Sequence, residues 1–190
     1  MKSIITSCYS DPSSSDYSPT SSNLRFAHMF TNVDVSKTNV LDYGCGPGNM
    51  VEWFIKNQQK PALYYGYDIR EETVAIARQK NPSYQFETEL CVEPVFDIAV
   101  FAGTISYAFD NDIDLCKNVY EQELTKAMDL LRSGGCIKAT ARKVGYEYER
   151  KQNKKMITYA AEELEQMGAT NIFSLFEHEW AFDIRRGRTT

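Results

Sequence analysis

The chain has 190 residues, of which 43% are hydrophobic and 25% charged, and its formal net charge is −5. This length suits a single domain, and the composition excludes a disordered or fibrous chain. The net negative charge argues against a surface built to coat nucleic acid or an anionic membrane.

The five cysteines, at positions 8, 45, 91, 116 and 136, are scattered along the chain. None has the short spacing of a zinc site or a dithiol motif, and with only two histidines a metal centre is not expected. An odd number of scattered cysteines suggests free thiols in a reducing compartment. No apolar run is long enough for a signal peptide or a membrane span. We therefore predict a cytoplasmic protein with no membrane partner.

The serine-rich residues 1–21 predict a mobile leader, followed by one domain over 22–190. The leader either has no role or closes over a ligand. From the end of the leader onward, helix and strand signals alternate. Helices are predicted over 21–30, 49–58, 71–79, 115–132 and 156–168, and strands over 39–44, 62–69, 84–90, 95–103, 136–142, 171–177 and 180–186.

This alternation predicts an α/β fold with a mostly parallel sheet covered by helices on both faces. The last two strands are joined so closely that they should pair as an antiparallel hairpin. For the long helix before it, Asp114 is the expected N-cap and Gly134-Gly135 the stop. Ligands of such sheets bind at the carboxyl ends of the strands, so functional residues are sought there.

The strongest functional signal follows the first predicted strand, where Asp42 precedes Gly44, Gly46 and Gly48. Glycines at such a turn let the backbone approach a ligand closely. A dinucleotide fingerprint would need a third glycine at position 49, which is Asn49. The acid at position 42 suits a ligand with a positively charged amino-acid end, which makes a nicotinamide oxidoreductase the least favoured enzyme class. At the end of the second strand, Asp68 is placed to accept hydrogen bonds from ribose hydroxyls.

At this point the sequence resembles the class I S-adenosylmethionine-dependent methyltransferases. DYGCGPG (42–48) resembles the first motif of that family and YYGYDI (64–69) the second. FETEL (86–90), FDIAVFAGTISYAFD (96–110) and MDLLRSGG (128–135) are similar to later segments. The resemblance spans roughly residues 24–187 and implies a Rossmann-like, seven-stranded sheet of order 3-2-1-4-5-7-6 with strand 7 antiparallel.

The resemblance also implies S-adenosyl-L-methionine as cofactor, S-adenosyl-L-homocysteine as product, and a role for each matched position. Gly44, Cys45, Gly46 and Gly48 would line the methionine and ribose, and Asp42 would hold the amino end. Asp68 would take the ribose hydroxyls, and Ile69, Glu89 and Leu90 would contact the adenine. Ala102 and Gly103 would pass close to the sulfonium, and Arg25 would reach the cofactor carboxylate.

The catalytic signal is weaker than the cofactor signal. Tyr107 stands where many members of the family carry a histidine. It either orients an acceptor by hydrogen bonding or stacking, or is a rim aromatic packed on the next helix. A general base is needed only when the acceptor must lose a proton.

The acceptor class stays open between several alternatives. Little protein is left over to enclose a large substrate, which favours a small molecule. Residues 138–155 carry seven Lys or Arg against two Glu, a local charge of +5, and would suit RNA or protein as acceptor. The plainer interpretation of that stretch is a solvated loop. A non-catalytic cofactor-binding module with the same fold is the alternative from a different functional class.

Overall fold

The computed structural model describes residues 19–90, 93, 95–149 and 154–187. The predicted leader therefore lies outside the described residues up to position 18. Residues 19–21, assigned to the leader from the sequence, instead begin helix α1, Pro19–Met29. Proline is compatible with a first helical turn, where its missing N–H would have had no partner within the helix.

In the part of the chain that the structure describes, ten strands and four further α-helices follow α1. The strands are β1 (Asn39–Tyr43), β2 (Leu63–Tyr67), β3 (Gln85–Glu87), β4 (Phe96–Phe101), β5 (Leu131–Lys143), β6 (Tyr148–Glu149), β7 (Lys154–Lys155), β8 (Thr158–Tyr159), β9 (Ala169–Phe176) and β10 (Glu179–Arg185). The helices are α2 (Asn49–Lys56), α3 (Glu71–Lys80), α4 (Ile113–Asp129) and α5 (Ala161–Gln166).

The strand order in the main sheet is β3-β2-β1-β4-β5-β10-β9, and β10 is antiparallel to both of its neighbours. This confirms the predicted order, with β9 and β10 as the sixth and seventh strands of the fold. An eighth strand was not predicted: the short β8 pairs parallel with the end of β5. Separately, β6 and β7 pair antiparallel with each other within the basic stretch.

The sheet separates two hydrophobic cores, because alternate residues of each strand point to opposite faces. Val40 of β1 belongs to the core beneath α1, α2 and α3, and Leu41 belongs to the core beneath α4 and α5. The predicted arrangement of helices on both faces is therefore confirmed. Among the described residues, no helix is long and apolar enough to cross a membrane.

Several boundaries differ from the predictions. The N-cap of α4 is Asp112, whose side chain accepts a 3.0 Å hydrogen bond from the Leu115 N–H, while Asp114 lies in the first turn. The predicted stop at Gly134-Gly135 lies inside β5, because pairing of Leu131 with Phe96 starts that strand early. The predicted helix 156–168 shortens to α5 because residues 158–159 pair with β5 instead.

Candidate functional site

The glycine loop after β1 is hydrogen-bonded to the end of β2. The backbone N–H groups of Gly44 and Cys45 both donate to the Tyr67 carbonyl, at 2.7 and 2.9 Å. Gly44 has a φ of +79°, and a Cβ there would lie 2.6 Å from Thr104 Oγ1. That hydroxyl itself donates to the Tyr43 carbonyl at 2.9 Å. The turn therefore requires glycine for its backbone conformation and for the close approach of the loop after β4.

The buried Asp68 carboxylate joins the glycine loop to the start of α3. Its Oδ2 accepts a 3.0 Å hydrogen bond from the Gly46 N–H, and its Oδ1 accepts from the Arg70 N–H at 3.1 Å. Arg70 Nε also approaches Oδ1 at 3.3 Å. Burial raises the pKa of Asp68 to about 6, although the two backbone donors oppose that shift. A carboxylate retains further acceptor capacity beyond these bonds, so Asp68 can still receive ligand hydroxyls.

Asp42 is a second buried carboxyl beneath the loop. Tyr64 donates its hydroxyl to Asp42 Oδ2 at 2.7 Å. Burial, with a smaller contribution from the charge of Asp68, raises the pKa of Asp42 to about 7. Two buried acids with raised pKa values would each be stabilised in the ionised form by a cationic ligand.

A cavity of about 370 Å³ opens at the carboxyl ends of β1, β2 and β4. We call the residues that line it the cavity wall. Most of the predicted site residues belong to it. They are Arg25, Asp42, Gly44, Cys45, Gly46, Asp68, Ile69, Ala102, Gly103 and Tyr107.

Three predicted residues lie outside the cavity wall. Gly48, with a φ of +88°, packs the loop against α3, since a Cβ there would lie 2.8 Å from Asn81 Nδ2. Glu89 is exposed, and its backbone carbonyl accepts a hydrogen bond from the Tyr65 hydroxyl at 2.7 Å. Leu90 packs against the core on the α4 side. The adenine contacts expected of Glu89 and Leu90 remain predictions.

One side of the cavity wall was not predicted. Tyr43 and Tyr67 extend from β1 and β2 toward Glu123 and Lys126 of α4. The Tyr43 hydroxyl donates to Glu123 Oε2, and Lys126 donates to Glu123 Oε1 at 2.6 Å. Burial raises the pKa of Tyr67 to about 12, so its hydroxyl stays neutral. Tyr43 and Tyr67 lie within the two motifs but were given no role there. No motif spacing marks Glu123 and Lys126, because α4 contributes them from a distant part of the chain.

Tyr107 lies where the loop after β4 meets the segment before β8. It forms an isolated antiparallel bridge with Met156, and its carbonyl accepts from the Tyr120 hydroxyl at 2.9 Å. Ser106 strengthens the junction, since its carbonyl accepts from the Ile157 N–H at 3.0 Å. Backbone contacts thus fix the position of Tyr107 on the cavity wall.

Arg25 and Glu179 form an ion pair between α1 and β10. Arg25 Nε and Nη2 donate to the two carboxylate oxygens of Glu179 at 2.7 and 2.9 Å. Motif spacing did not predict Glu179, which lies 154 residues from its partner. The pair ties α1 to the last strand beside the cavity.

Three lysines of the basic stretch, at positions 138, 143 and 155, have partners within the chain. Lys138 pairs with Asp183 at 3.2 Å, and Lys143 donates to the Ser174 hydroxyl and lies over the Trp180 ring. Lys155 donates to the Asn111 carbonyl at 3.2 Å. Residues 150–153, which contribute two more cations to the prediction, lie outside the described chain.

Comparisons with known proteins agree on one family of folds. A family model described as a methyltransferase domain matches residues 40–135, just over half of the chain. No curated protein matches the sequence.

Solved structures are similar over nearly the whole chain. A protein from Pyrococcus horikoshii OT3 shares 14% identity with a TM-score of 0.67, covering 95% of both chains. The N-methyltransferase NodS from Bradyrhizobium japonicum WM9, in complex with S-adenosyl-L-homocysteine, shares 14% identity with a TM-score of 0.66, covering 96% of this chain and 98% of that one. Magnesium protoporphyrin IX methyltransferase from Synechocystis PCC 6803, with bound S-adenosylmethionine, shares 13% identity with a TM-score of 0.59, covering 89% and 79%.

Proposed function

The chain belongs to the class I S-adenosylmethionine-dependent methyltransferase family, and on that premise we propose that it transfers a methyl group from this cofactor to a small-molecule acceptor. The observation that carries the proposal is the convergence of Asp68 and the glycine loop at one cavity. That cavity lies at the carboxyl ends of β1, β2 and β4, where ligands of this sheet architecture bind.

The residues of the cavity wall fit such a cofactor. Gly44, Gly46 and Gly103 leave the space and backbone access that an extended ligand needs. The buried carboxyls of Asp42 and Asp68 suit a ligand that carries positive charge and ribose hydroxyls. We assign Asp68 to the ribose, Asp42 to the amino end, and Ile69 to one side of the adenine.

The bound cofactor supplies an activated methyl group on a sulfonium, so the protein's main tasks are positioning and excluding water. Ala102 and Gly103 form the surface beside the predicted methyl position. Helix α1 covers that side through Ser22, Arg25 and Phe26. Tyr107 orients the acceptor, held in place by its bridge to Met156.

Two considerations support a small acceptor. The three lysines of the basic stretch at positions 138, 143 and 155 are engaged with Asp183, Ser174 and Asn111, which leaves them less available to a polyanion. In addition, one of the similar structures is a methyltransferase named for a small molecule, magnesium protoporphyrin IX.

The test is calorimetric titration of S-adenosylmethionine into the parent protein and into Asp68→Ala. We expect binding by the parent and a loss of roughly tenfold or more in the variant, because Asp68 would no longer receive the ribose. Asp97→Ala is the matched control. Asp97 likewise accepts a backbone N–H, from Asn39 at 2.8 Å, but at the opposite end of the sheet. Failure of the parent to bind would refute the proposal.

Identifying the class of acceptor requires a turnover assay. Formation of S-adenosylhomocysteine would be followed across a panel of metabolites, an RNA mixture and a protein mixture. Turnover with metabolites alone supports the small-molecule assignment. Turnover with RNA or protein would contradict it, and binding without any turnover would favour a non-catalytic module.

A further inference from the structure

We infer that Glu179 is a positioning residue for cofactor binding: it holds the Arg25 guanidinium so that the remaining N–H edge receives the carboxylate of the methionine end. The inference rests on the proposed function. It adds a residue from the last strand to a site otherwise built from the first half of the chain.

The ion pair between these residues is shielded from solvent. The side chains of Arg25 and Glu179 are only 16% and 5% exposed. Both carboxylate oxygens are used, so the guanidinium is held in a two-point fork that fixes its plane. A carboxylate buried to this extent is costly to leave unpaired, so a ligand would not displace Glu179 from Arg25.

The guanidinium lies beside Gly103 on the cavity wall. The two bonds to Glu179 use Nε and Nη2, and the Cζ and Nη1 atoms lie 3.8 and 4.0 Å from the position that a Cβ of Gly103 would occupy. Arg25 and Gly103 both belong to the cavity wall, and Glu179 does not. Glu179 therefore acts through Arg25 rather than by touching a ligand.

The cavity wall has two other described cations, Arg70 and Lys126, which contact Asp68 and Glu123. Neither has an atom within 4 Å of the Cβ position of Gly103, whereas Arg25 does. Arg25 is the cation placed beside Gly103, close to the predicted sulfonium position. The α-carboxylate is the anionic group of the cofactor, and a planar guanidinium edge matches a carboxylate.

The experiment compares two ligands that differ in that group alone, S-adenosylmethionine and decarboxylated S-adenosylmethionine. We expect the parent to bind the carboxylated ligand roughly ten- to a hundredfold more tightly, as for a charge-assisted hydrogen bond. In Glu179→Gln the preference should fall to about threefold or less, because the amide cannot hold the guanidinium in a two-point fork. An unchanged preference in this variant overturns the inference, because Glu179 would then contribute only to stability. A larger preference also overturns it, because Glu179 would then only neutralise the charge of Arg25.

Asp183→Asn is the matched control. Asp183 also lies on β10 and forms a partly buried ion pair with Lys138, outside the cavity wall. This variant should keep the parent's preference, and loss of the preference here would count against a specific role for Glu179.

Glu179→Asp covers the case in which Glu179→Gln does not fold. It keeps Arg25 and the negative charge but shortens the side chain at position 179 by one methylene group, which disturbs the two-point fork, so we expect a preference of about threefold or less for the carboxylated ligand. A retained preference overturns the inference. If the parent binds neither ligand, the proposed function itself is wrong and the inference falls with it. If the parent binds both but the variants leave the ratio unchanged, only the inference is wrong.

Discussion

The backbone N–H of Gly46 donates a 3.0 Å hydrogen bond to Oδ2 of Asp68, 22 residues further along the chain. The glycine loop and the end of β2 are therefore a single unit, built around one buried carboxylate. Asp68 both shapes the loop and, in the proposed function, receives the ribose. Its substitution should affect loop stability as well as ligand affinity, so the two must be measured separately.

Asp42→Asn is expected to stabilise the ligand-free protein at high pH. A carboxyl whose folded pKa is raised, here from 3.8 to about 7, binds more protons folded than unfolded between those values. The contribution of Asp42 to the free energy of unfolding is therefore most favourable below pH 4 and is lost as the pH rises toward 7. Asparagine keeps an acceptor for Tyr64 but cannot ionise, so we expect a gain of roughly 2–4 kcal/mol at pH 8. Denaturant unfolding from pH 4 to 8 checks this, and an equal pH slope in parent and variant would contradict it.

Cofactor affinity should fall as the pH decreases from 7.5 to 5.5. The pKa values of Asp42 and Asp68 are raised to about 7 and about 6, so both acids become protonated over this interval. A cationic ligand favours the ionised forms, so we expect a loss of roughly tenfold or more. Calorimetry in buffers of different ionisation enthalpy should also show proton release on binding near pH 6.5. Affinity that does not change with pH would exclude this coupling.

Gly44→Ala should destabilise the protein by about 2–4 kcal/mol, from a left-handed backbone and a steric clash together. The new Cβ would lie 2.6 Å from Thr104 Oγ1. Gly134→Ala measures the destabilisation that comes from the left-handed backbone alone, since Gly134 has a φ of +82° and no described atom within 4 Å of the Cβ position. Adding Thr104→Ala should recover part of the loss. Equal unfolding free energies for Gly44→Ala and Gly134→Ala would show that the clash is absent.

Tyr43→Phe should lower the free energy of unfolding by about 1–3 kcal/mol, because Glu123 loses a buried hydroxyl donor. A double-mutant cycle with Glu123→Gln measures the coupling between β1 and α4. Tyr84→Phe is a suitable comparison, since that ring packs edge-on against Tyr64 and no hydrogen bond is described for its hydroxyl. Additive effects of the two substitutions in the cycle would show that the contact contributes little.

Tyr107→Phe separates acceptor orientation from cofactor binding. If the hydroxyl orients the acceptor, kcat/KM for the acceptor should fall about tenfold or more, while the Kd for S-adenosylmethionine stays unchanged. The backbone bridge to Met156 is preserved by this substitution, so the loop keeps its position. Unchanged kcat/KM would assign Tyr107 to packing at the rim.

The sequence pattern predicted the layers of the fold, its resemblance to a known family predicted the strand order, and most of the residues expected to bind the cofactor line one cavity. Glycines after β1 and the acid ending β2 are local signals, because a tight turn and a strand end each constrain the residues beside them in sequence. The apolar strands and the alternation of helix and strand are also local signals, and they predicted a sheet with helices on both faces. The boundaries of the helices were less predictable from the sequence. Helix α5 begins later than predicted because residues 158–159 pair with β5, which is a contact between distant segments of the chain.

Tertiary structure alone decided the remainder of the cavity wall. Glu123 reaches Tyr43 across 80 residues, and Glu179 reaches Arg25 across 154. Neither pair has a spacing that marks it, because the sheet and its helices, rather than the local chain, bring these groups together. The net charge of −5 also does not reveal which acidic side chains are ionised in the folded protein. Whether an acid is ionised, paired or raised in pKa depends on burial and partners, which only the folded chain supplies.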